Sequence, residues 1–162
     1  MKTDKCKRWF LPVLIVASAL IVLVGADKNS PAGSSTHAEV KDRDLVIPLS
    51  DLSSTAQFYP VEIDGTKMEI LAVQASDGTY RTAFNTCQVC YASGRGYYKQ
   101  NGNVLQCQNC GNRFRMNQVE VRSGGCNPVP IFPQNKTVDS EKIVISREFL
   151  QSAREIFARW KR

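Results

Sequence analysis

The chain has 162 residues, six cysteines, one histidine and a formal net charge of +6. This length suits one domain of about 100–120 residues plus an additional segment, and excludes two full-sized domains. The excess charge is terminal: residues 1–26 carry four basic residues and one acid, residues 147–162 carry five and two, and residues 27–146 carry twelve of each. A neutral middle argues against nucleic-acid binding. The only histidine, His37, precedes the main domain, which excludes a Ser-His-Asp triad, a Cys-His nucleophile and a His-rich zinc site there.

The amino-terminal segment has the pattern of a signal anchor. Residues 1–8 form a basic stretch that we expect to be cytoplasmic, and the uncharged residues 9–26 predict a transmembrane helix. Eighteen helical residues span about 27 Å, close to the hydrocarbon thickness of a bilayer. The basic flank predicts a single-pass protein of the cell membrane with its main domain extracytoplasmic. A signal peptide cleaved near Val24-Gly25-Ala26 is the alternative, and it also exports the main domain.

The remaining chain predicts a flexible linker and then a small, mainly β domain. Residues 27–42 are small and polar, as in a tether, and the domain is expected over 43–162. A short strand is expected in the stretch DLVIPLSDL, and two turns, Asp64-Gly65 and Asp77-Gly78, separate alternating apolar runs. Further strands are predicted near 58–63, 67–74, 79–85, 96–99, 104–106, 119–122 and 142–146.

The carboxyl-terminal tail predicts an amphipathic helix over 147–160, with Ser146 as its N-cap. Apolar residues recur there at helical spacing, and packing of this stripe against the β domain is the favoured interpretation. A membrane-surface helix is the alternative, because basic residues flank the stripe. The stripe consists of Phe149, Leu150, Ala153, Ile156, Phe157 and Trp160.

Two cysteine pairs are the most informative motif. Cys87-Gln-Val-Cys90 and Cys107-Gln-Asn-Cys110 are separated by sixteen residues, and Asn101-Gly102 between them can reverse the chain in a hairpin. Two C-x2-C pairs at this spacing are typical of four thiolates at one centre. Such a set suits zinc, a single iron or an iron–sulfur cluster, and spacing alone leaves the three open. A glycine after the second pair, Gly111, suits a tight turn.

A fifth cysteine lies in the specialised turn Gly124-Gly125-Cys126-Asn127-Pro128. Cys126 is open to three roles: a ligand in place of one of the four, a supporting thiol beside them, or a partner in an exchangeable disulfide. Disulfides are the alternative to a metal, because the cysteines of exported domains often pair. Five cysteines would, however, leave one thiol unpaired. A redox-active thiol pair is the third interpretation.

The motifs FYPVEIDG, ASDGTYRTAFNTCQVCY, GYYKQNGNVLQCQNCGNRFRMNQV and GGCNPVPI together resemble the FtrD-like membrane iron–sulfur protein family. The resemblance covers about residues 43–133. It implies a membrane-associated iron–sulfur protein, with some relatives linked to iron uptake beside an iron permease. It also implies that Cys87, Cys90, Cys107, Cys110 and Cys126 fall on the family's cysteine positions. The single apolar span argues against a permease-like role for this chain itself.

We therefore expect an anchored metal or iron–sulfur protein that transfers electrons outside the membrane in support of metal uptake, and that need not be an enzyme. Its expected partners are the membrane and an iron permease or other redox protein, with no nucleic acid. One rival is a zinc-stabilised module that recognises a partner. The other is a thiol–disulfide oxidoreductase that uses one C-x2-C pair.

Overall fold

A computed structural model describes residues 36–162. The predicted cytoplasmic segment, the transmembrane segment 9–26 and most of the linker lie outside these residues. Within them, no helix is both long enough and apolar enough to cross a bilayer. Residues 36–162 form eleven strands and one short helix, α1 (Arg147–Ser152). The strands are β1 (Val40–Lys41), β2 (Leu45–Pro48), β3 (Gln57–Ile63), β4 (Thr66–Gln74), β5 (Tyr80–Cys87), β6 (Tyr98–Asn101), β7 (Val104–Cys107), β8 (Arg113–Arg115), β9 (Pro128–Pro130), β10 (Thr137–Val138) and β11 (Lys142–Ile145).

The strands form three sheets. The largest has the order β1-β3-β4-β5-β9, with β1 parallel to β3 and every other pair antiparallel. The second has the order β10-β11-β2, and the third, β6-β7-β8, is built around the cysteine pairs. The predicted Asp-Gly turns and the hairpin after Asn101 are confirmed. The end of the predicted linker differs, because Val40–Lys41 pairs with Val61 and Glu62 as an edge strand.

Strand β4 is covered on both faces and separates two hydrophobic cores. Its residues from Met68 to Val73 are all buried. Because successive side chains of a strand point to opposite faces, Met68, Ile70 and Ala72 enter one core while Leu71 and Val73 enter the other. The first core packs against β2, β11 and the tail, and the second contains the cysteines. The large sheet is thus the central layer on which the cysteine-bearing sheet is mounted.

The tail packs into the first core, which confirms the packing interpretation. Ser146 caps α1 by accepting a hydrogen bond from the Phe149 N–H at 3.2 Å. The predicted helix over 147–160 is shorter than expected, because α1 ends at Ser152 and a 3-10 turn follows over Arg154–Phe157. This tighter turn inserts Phe157 into the core, 3% exposed, with its ring 5.8 Å from that of Phe84.

Two predictions near the cysteines differ from the structure. Residues 119–122, predicted as a strand, form a turn in which Val121 and Arg122 both donate to the Gln118 carbonyl and Glu120 has a positive φ of 64°. The apolar Val119 is buried there without a sheet partner. Conversely, β8 was not predicted, because only one buried apolar residue, Phe114, lies in it.

We expect Phe157→Ala to lower the free energy of unfolding by about 3–5 kcal/mol, because it leaves a cavity in the first core. Chemical denaturation followed by circular dichroism measures this value. Val138→Ala is the control, since Val138 is 47% exposed and should change stability by less than about 0.5 kcal/mol. A loss of similar size in both variants would contradict the docked tail.

Candidate metal centre

Cys87 ends β5 at an irregularity in the large sheet. The register of β5 with β9 is regular at Ala83 and Phe84, then shifts so that Cys87 lies opposite Pro128. Such bulges redirect side chains and are common beside functional sites. The Cys87 side chain is fully buried, and its N–H donates to the Gly96 carbonyl at 2.6 Å. The shift therefore places the first thiol in the second core, between the large sheet and the cysteine-bearing sheet.

The first cysteine loop closes on itself through a glycine. Cys90 is 9% exposed, and the chain returns past it to Gly96 and β6. A Cβ atom added to Gly96 would lie 2.3 Å from the Cys90 carbonyl oxygen. No side chain fits at that separation, so position 96 requires glycine for close backbone approach. Ser93 also donates to the Cys90 carbonyl at 2.7 Å, which fixes the turn.

The second pair lies at the end of the β6–β7 hairpin. Tyr98 pairs with Cys107 across the two strands, so the hairpin brings the second cysteine pair beside the first loop, as predicted. The Gly111 N–H donates to the Cys107 carbonyl at 2.9 Å with a φ of 74°, which confirms the glycine turn expected there. Cys107 is buried and Cys110 is exposed, because the turn points outward after Asn109.

The loop that carries Cys126 is tied to both pairs by amide side chains. Gln88 Oε1 accepts from the Gly124 N–H at 2.5 Å and from Asn127 Nδ2 at 2.7 Å. Asn112 Nδ2 donates to the Cys126 carbonyl at 2.8 Å. Residues between and after the paired cysteines thus hold the third loop in place.

All five cysteines of the domain converge. The Sγ atoms of Cys87, Cys90, Cys107 and Cys126 all lie within 4.8 Å of one another. Cys110 Sγ lies 2.9 Å from Cys126 Sγ, which is itself 3.3 Å from Cys87 Sγ. The structure therefore brings together every predicted site residue, with Cys126 inside the tightest group of four and Cys110 at its outer edge. His37 is elsewhere, stacked on the Tyr59 ring at 4.1 Å.

The deepest thiol, Cys87, is shifted towards the thiolate form despite its burial. Burial acts to raise the pKa of Cys87, but hydrogen bonds from the Tyr98 hydroxyl and from the backbone N–H groups of Cys90 and Val89 outweigh it and leave the pKa below the ordinary value. Backbone donors of this kind are the expected function of a C-x2-C turn at a thiolate.

Burial dominates at the other enclosed thiols. It raises the pKa of Cys90, raises that of Cys107 to about 11, and raises that of Cys126 further. Cys110 behaves in the opposite way: hydrogen bonds from the Cys126 thiol and from the Asn112 backbone lower its pKa to about 7. Several buried thiolates without a cation are unfavourable, so the metal-free site is expected to keep most of its protons.

The donor set fits a thiophilic metal. Four sulfur atoms on one tetrahedral ion lie about 3.8 Å apart when each bond is about 2.3 Å, and the tight group lies within 4.8 Å. In a four-iron cluster each thiolate binds a different iron, so its sulfurs lie farther apart. The observed sulfur–sulfur distances therefore suit a single ion. A four-iron cluster would require the cysteine loops to move apart. Soft thiolate ligands select zinc, copper(I) or iron–sulfur centres over hard cations.

Three supporting residues were not predicted from the sequence. The Tyr98 hydroxyl lies 3.8 Å from Cys126 Sγ, and the side chains of Asn109 and Asn112 hydrogen-bond to Cys90 and to the Cys126 carbonyl. Burial and the neighbouring thiols raise the pKa of Tyr98 strongly, so its hydroxyl keeps its proton as a donor. The only available signal was position: Tyr98 alternates with the exposed Lys99 in β6, and both asparagines lie within two residues of Cys110.

A buried polar network fixes Tyr98. Asn85 Oδ1 accepts from the Tyr98 N–H at 2.7 Å, and Asn85 Nδ2 donates to Glu69 at 2.6 Å. Glu69 also accepts from Lys161 Nζ at 3.1 Å, and the Trp160 indole donates to the Asn85 carbonyl at 2.8 Å. The tail thereby supports the strand that carries the Tyr98 hydroxyl to the site.

Comparison with protein families identifies the family to which the chain belongs. Residues 37–157, most of the chain, match the family described as membrane iron–sulfur containing protein FtrD-like. The chain belongs to the FtrD-like family. Neither the curated proteins nor the solved structures contain a match. The family description agrees with a cysteine centre that holds iron, and it describes the family as membrane proteins.

Among the five cysteines within residues 36–162, we expect Cys110 to be the first alkylated by iodoacetamide in metal-free, reduced protein. It is exposed, and its pKa of about 7 makes the reactive thiolate abundant at neutral pH, so the alkylation rate should rise through pH 7 and level off above it. Peptide mass spectrometry over a pH series identifies the site and the midpoint. Cys110→Ser should remove the fast phase; faster labelling of buried Cys107, or a midpoint near 9, would contradict the geometry.

Proposed function

We propose that this chain is an extracytoplasmic iron protein that transfers electrons through a thiolate-ligated centre at a membrane surface. The convergence of four cysteine sulfurs within 4.8 Å of one another carries the proposal. Membership of a family described as iron–sulfur containing favours iron over zinc. An iron centre held by four thiolates supplies one-electron chemistry without an open position for substrate.

Residues around the thiols are placed to stabilise negative charge at the centre. Cys87, Cys90, Cys107 and Cys126 are the ligands that the tight group favours, and Cys110 is close enough to replace Cys126. Hydrogen bonds from backbone N–H groups and from the Tyr98 hydroxyl stabilise thiolate charge, which tunes a potential. Phe114 and Leu105 pack beside the thiols and limit water, whereas Cys110 reaches the surface. The exposed edge is the natural exit for an electron.

The anchor and the uptake role extend the proposal. The basic segment 1–8 and the apolar segment 9–26 support a position of the domain outside the cell membrane, on a single span. A redox protein in that position can supply electrons to an iron permease or another redox protein during metal uptake. This role accords with a site that lacks an open coordination position and with a described part of the chain that offers no histidine beside the thiols.

Two alternatives have specific support. The single-ion spacing of the sulfurs also suits structural zinc in a partner-binding module. The separation of 2.9 Å between Cys110 and Cys126, together with the exposed thiol of low pKa, also suits thiol–disulfide exchange. Exchange requires only two thiols, however, and leaves the other three converging thiols unexplained.

We expect protein purified without oxygen to contain stoichiometric iron and to show visible absorption bands that bleach on reduction. Cys107→Ser should lose most of the metal and the bands, because Cys107 is a buried member of the tight group. Cys6→Ser is the matched control and should keep both, since Cys6 precedes the apolar segment. Metal analysis and anaerobic spectra measure these outcomes.

A colourless protein with one zinc would contradict electron transfer and support the binding module. A mixed disulfide trapped with a partner by a single-cysteine variant, without metal loss, would support the oxidoreductase instead.

A further inference from the structure

The outward face of the cysteine-bearing sheet is basic. Along β6, β7 and β8, Tyr98, Leu105 and Phe114 are buried, so the alternate residues face solvent. Lys99, Gln106 and Arg113 lie in one cross-strand row, and Asn101, Val104 and Arg115 in the next. Three of these six positions carry positive charge and none carries negative charge.

This basic character extends across the loops that hold the thiols. Residues 88–127 contain five basic residues and a single acid, Glu120. Glu120 is not available to balance the surface, because it is largely buried in an ion pair with Lys136. All five basic residues are exposed, and none forms an ion pair within residues 36–162. They are Arg95, Lys99, Arg113, Arg115 and Arg122.

Exposed apolar side chains also lie on the loops that hold the thiols. Val89 is 64% exposed, Val121 is 63% exposed and Tyr91 is 39% exposed, and each belongs to a loop that carries a ligand cysteine. Large exposed apolar residues are otherwise few in residues 36–162. Exposed apolar residues together with solvated charges are the composition of a transient protein interface.

We propose that this surface, formed by the outward face of β6–β8 and the cysteine loop around Val89, docks an acidic redox protein at the exposed edge of the centre. The inference rests on the proposed function for its purpose, since Cys110 at this edge is the exposed thiol of the centre. The charge selects the partner: opposite charges accelerate encounter and fix orientation, whereas a second copy of this basic surface is repelled.

Two rival roles for the charges predict different results. Basic residues could serve only to offset negative thiolates, in which case reversing them shifts the reduction potential and leaves association unchanged. They could instead rest on anionic lipid, which basic patches beside a membrane anchor also bind. The exposed Val89 and Tyr91 favour a protein partner, because these apolar side chains lie directly beside Cys90 in the chain.

The test uses the metal-loaded full chain in nanodiscs of neutral phosphatidylcholine and an acidic plant-type [2Fe–2S] ferredoxin as the probe. We expect salt-sensitive binding by biolayer interferometry. The triple variant Lys99→Glu, Arg113→Glu, Arg115→Glu should bind at least about tenfold more weakly. The matched control, Arg43→Glu, Lys67→Glu, Lys142→Glu, makes the same change in net charge at exposed positions elsewhere and should stay within about threefold.

Equal weakening in both triple variants would overturn the proposal, because net charge alone would then explain binding. Unchanged binding in the first variant would also overturn the proposal. If the reduction potential shifts in that case, the basic residues serve to offset the negative charge of the thiolates. Absence of ferredoxin binding, with protection of β6–β8 from hydrogen exchange only in phosphatidylglycerol nanodiscs, would overturn it in favour of lipid. If the metal is redox-inactive zinc, electron transfer fails, but the comparison of binding between the two triple variants still tests whether this surface docks an acidic partner.

Discussion

Electrostatic repulsion among closely spaced thiolates is the constraint on which this structure depends. Four sulfurs within 4.8 Å of one another in a largely buried site cannot all be ionised unless a positive centre lies among them. The directions of the pKa shifts express this conflict: burial raises the pKa of Cys90, Cys107 and Cys126, and only Cys87 and the exposed Cys110 are shifted down. A bound metal would resolve the conflict, because thiols that ligate a metal release their protons.

The fold is arranged to bring the sulfurs together from distant parts of the chain. A bulge at the end of β5 turns Cys87 inward, the β6–β7 hairpin returns Cys107 to it, and amide side chains secure the loop of Cys126. The large sheet provides the rigid support, since β4 is covered on both faces. The tail, although distant in sequence, completes the support through Asn85 and Trp160. The geometry of the thiols therefore depends on the packing of the whole domain.

Local patterns predicted much of this architecture. The strands around the two Asp-Gly turns, the hairpin after Asn101, the turn at Gly111 and the burial of the tail all follow from short-range chemistry that the residues themselves carry. The strand expected over 119–122 did not form, because Val119 is buried through a turn rather than a sheet. The length of the tail helix was overestimated for a similar reason: helical spacing does not reveal where tertiary packing favours a 3-10 turn.

The site was predictable as a set of cysteines but not as an arrangement. Spacing identified the two pairs, yet only the three-dimensional structure places Cys126 within the tight group and Cys110 at its edge. The supporting roles of Tyr98, Asn85 and Glu69 depend on contacts between strands that are far apart in sequence, and polar residues in a strand carry no pattern that distinguishes such partners from surface positions. The basic face likewise emerges only when β6, β7 and β8 are placed side by side.

X-ray absorption at the metal edge of anaerobically purified protein shows whether the converging thiols hold a metal. We expect a stoichiometric metal whose nearest shell contains sulfur, about four cysteine sulfurs for a single ion, at about 2.3 Å. Oxygen or nitrogen as the dominant neighbours, or protein without metal whose cysteines are joined as disulfides, would contradict this expectation.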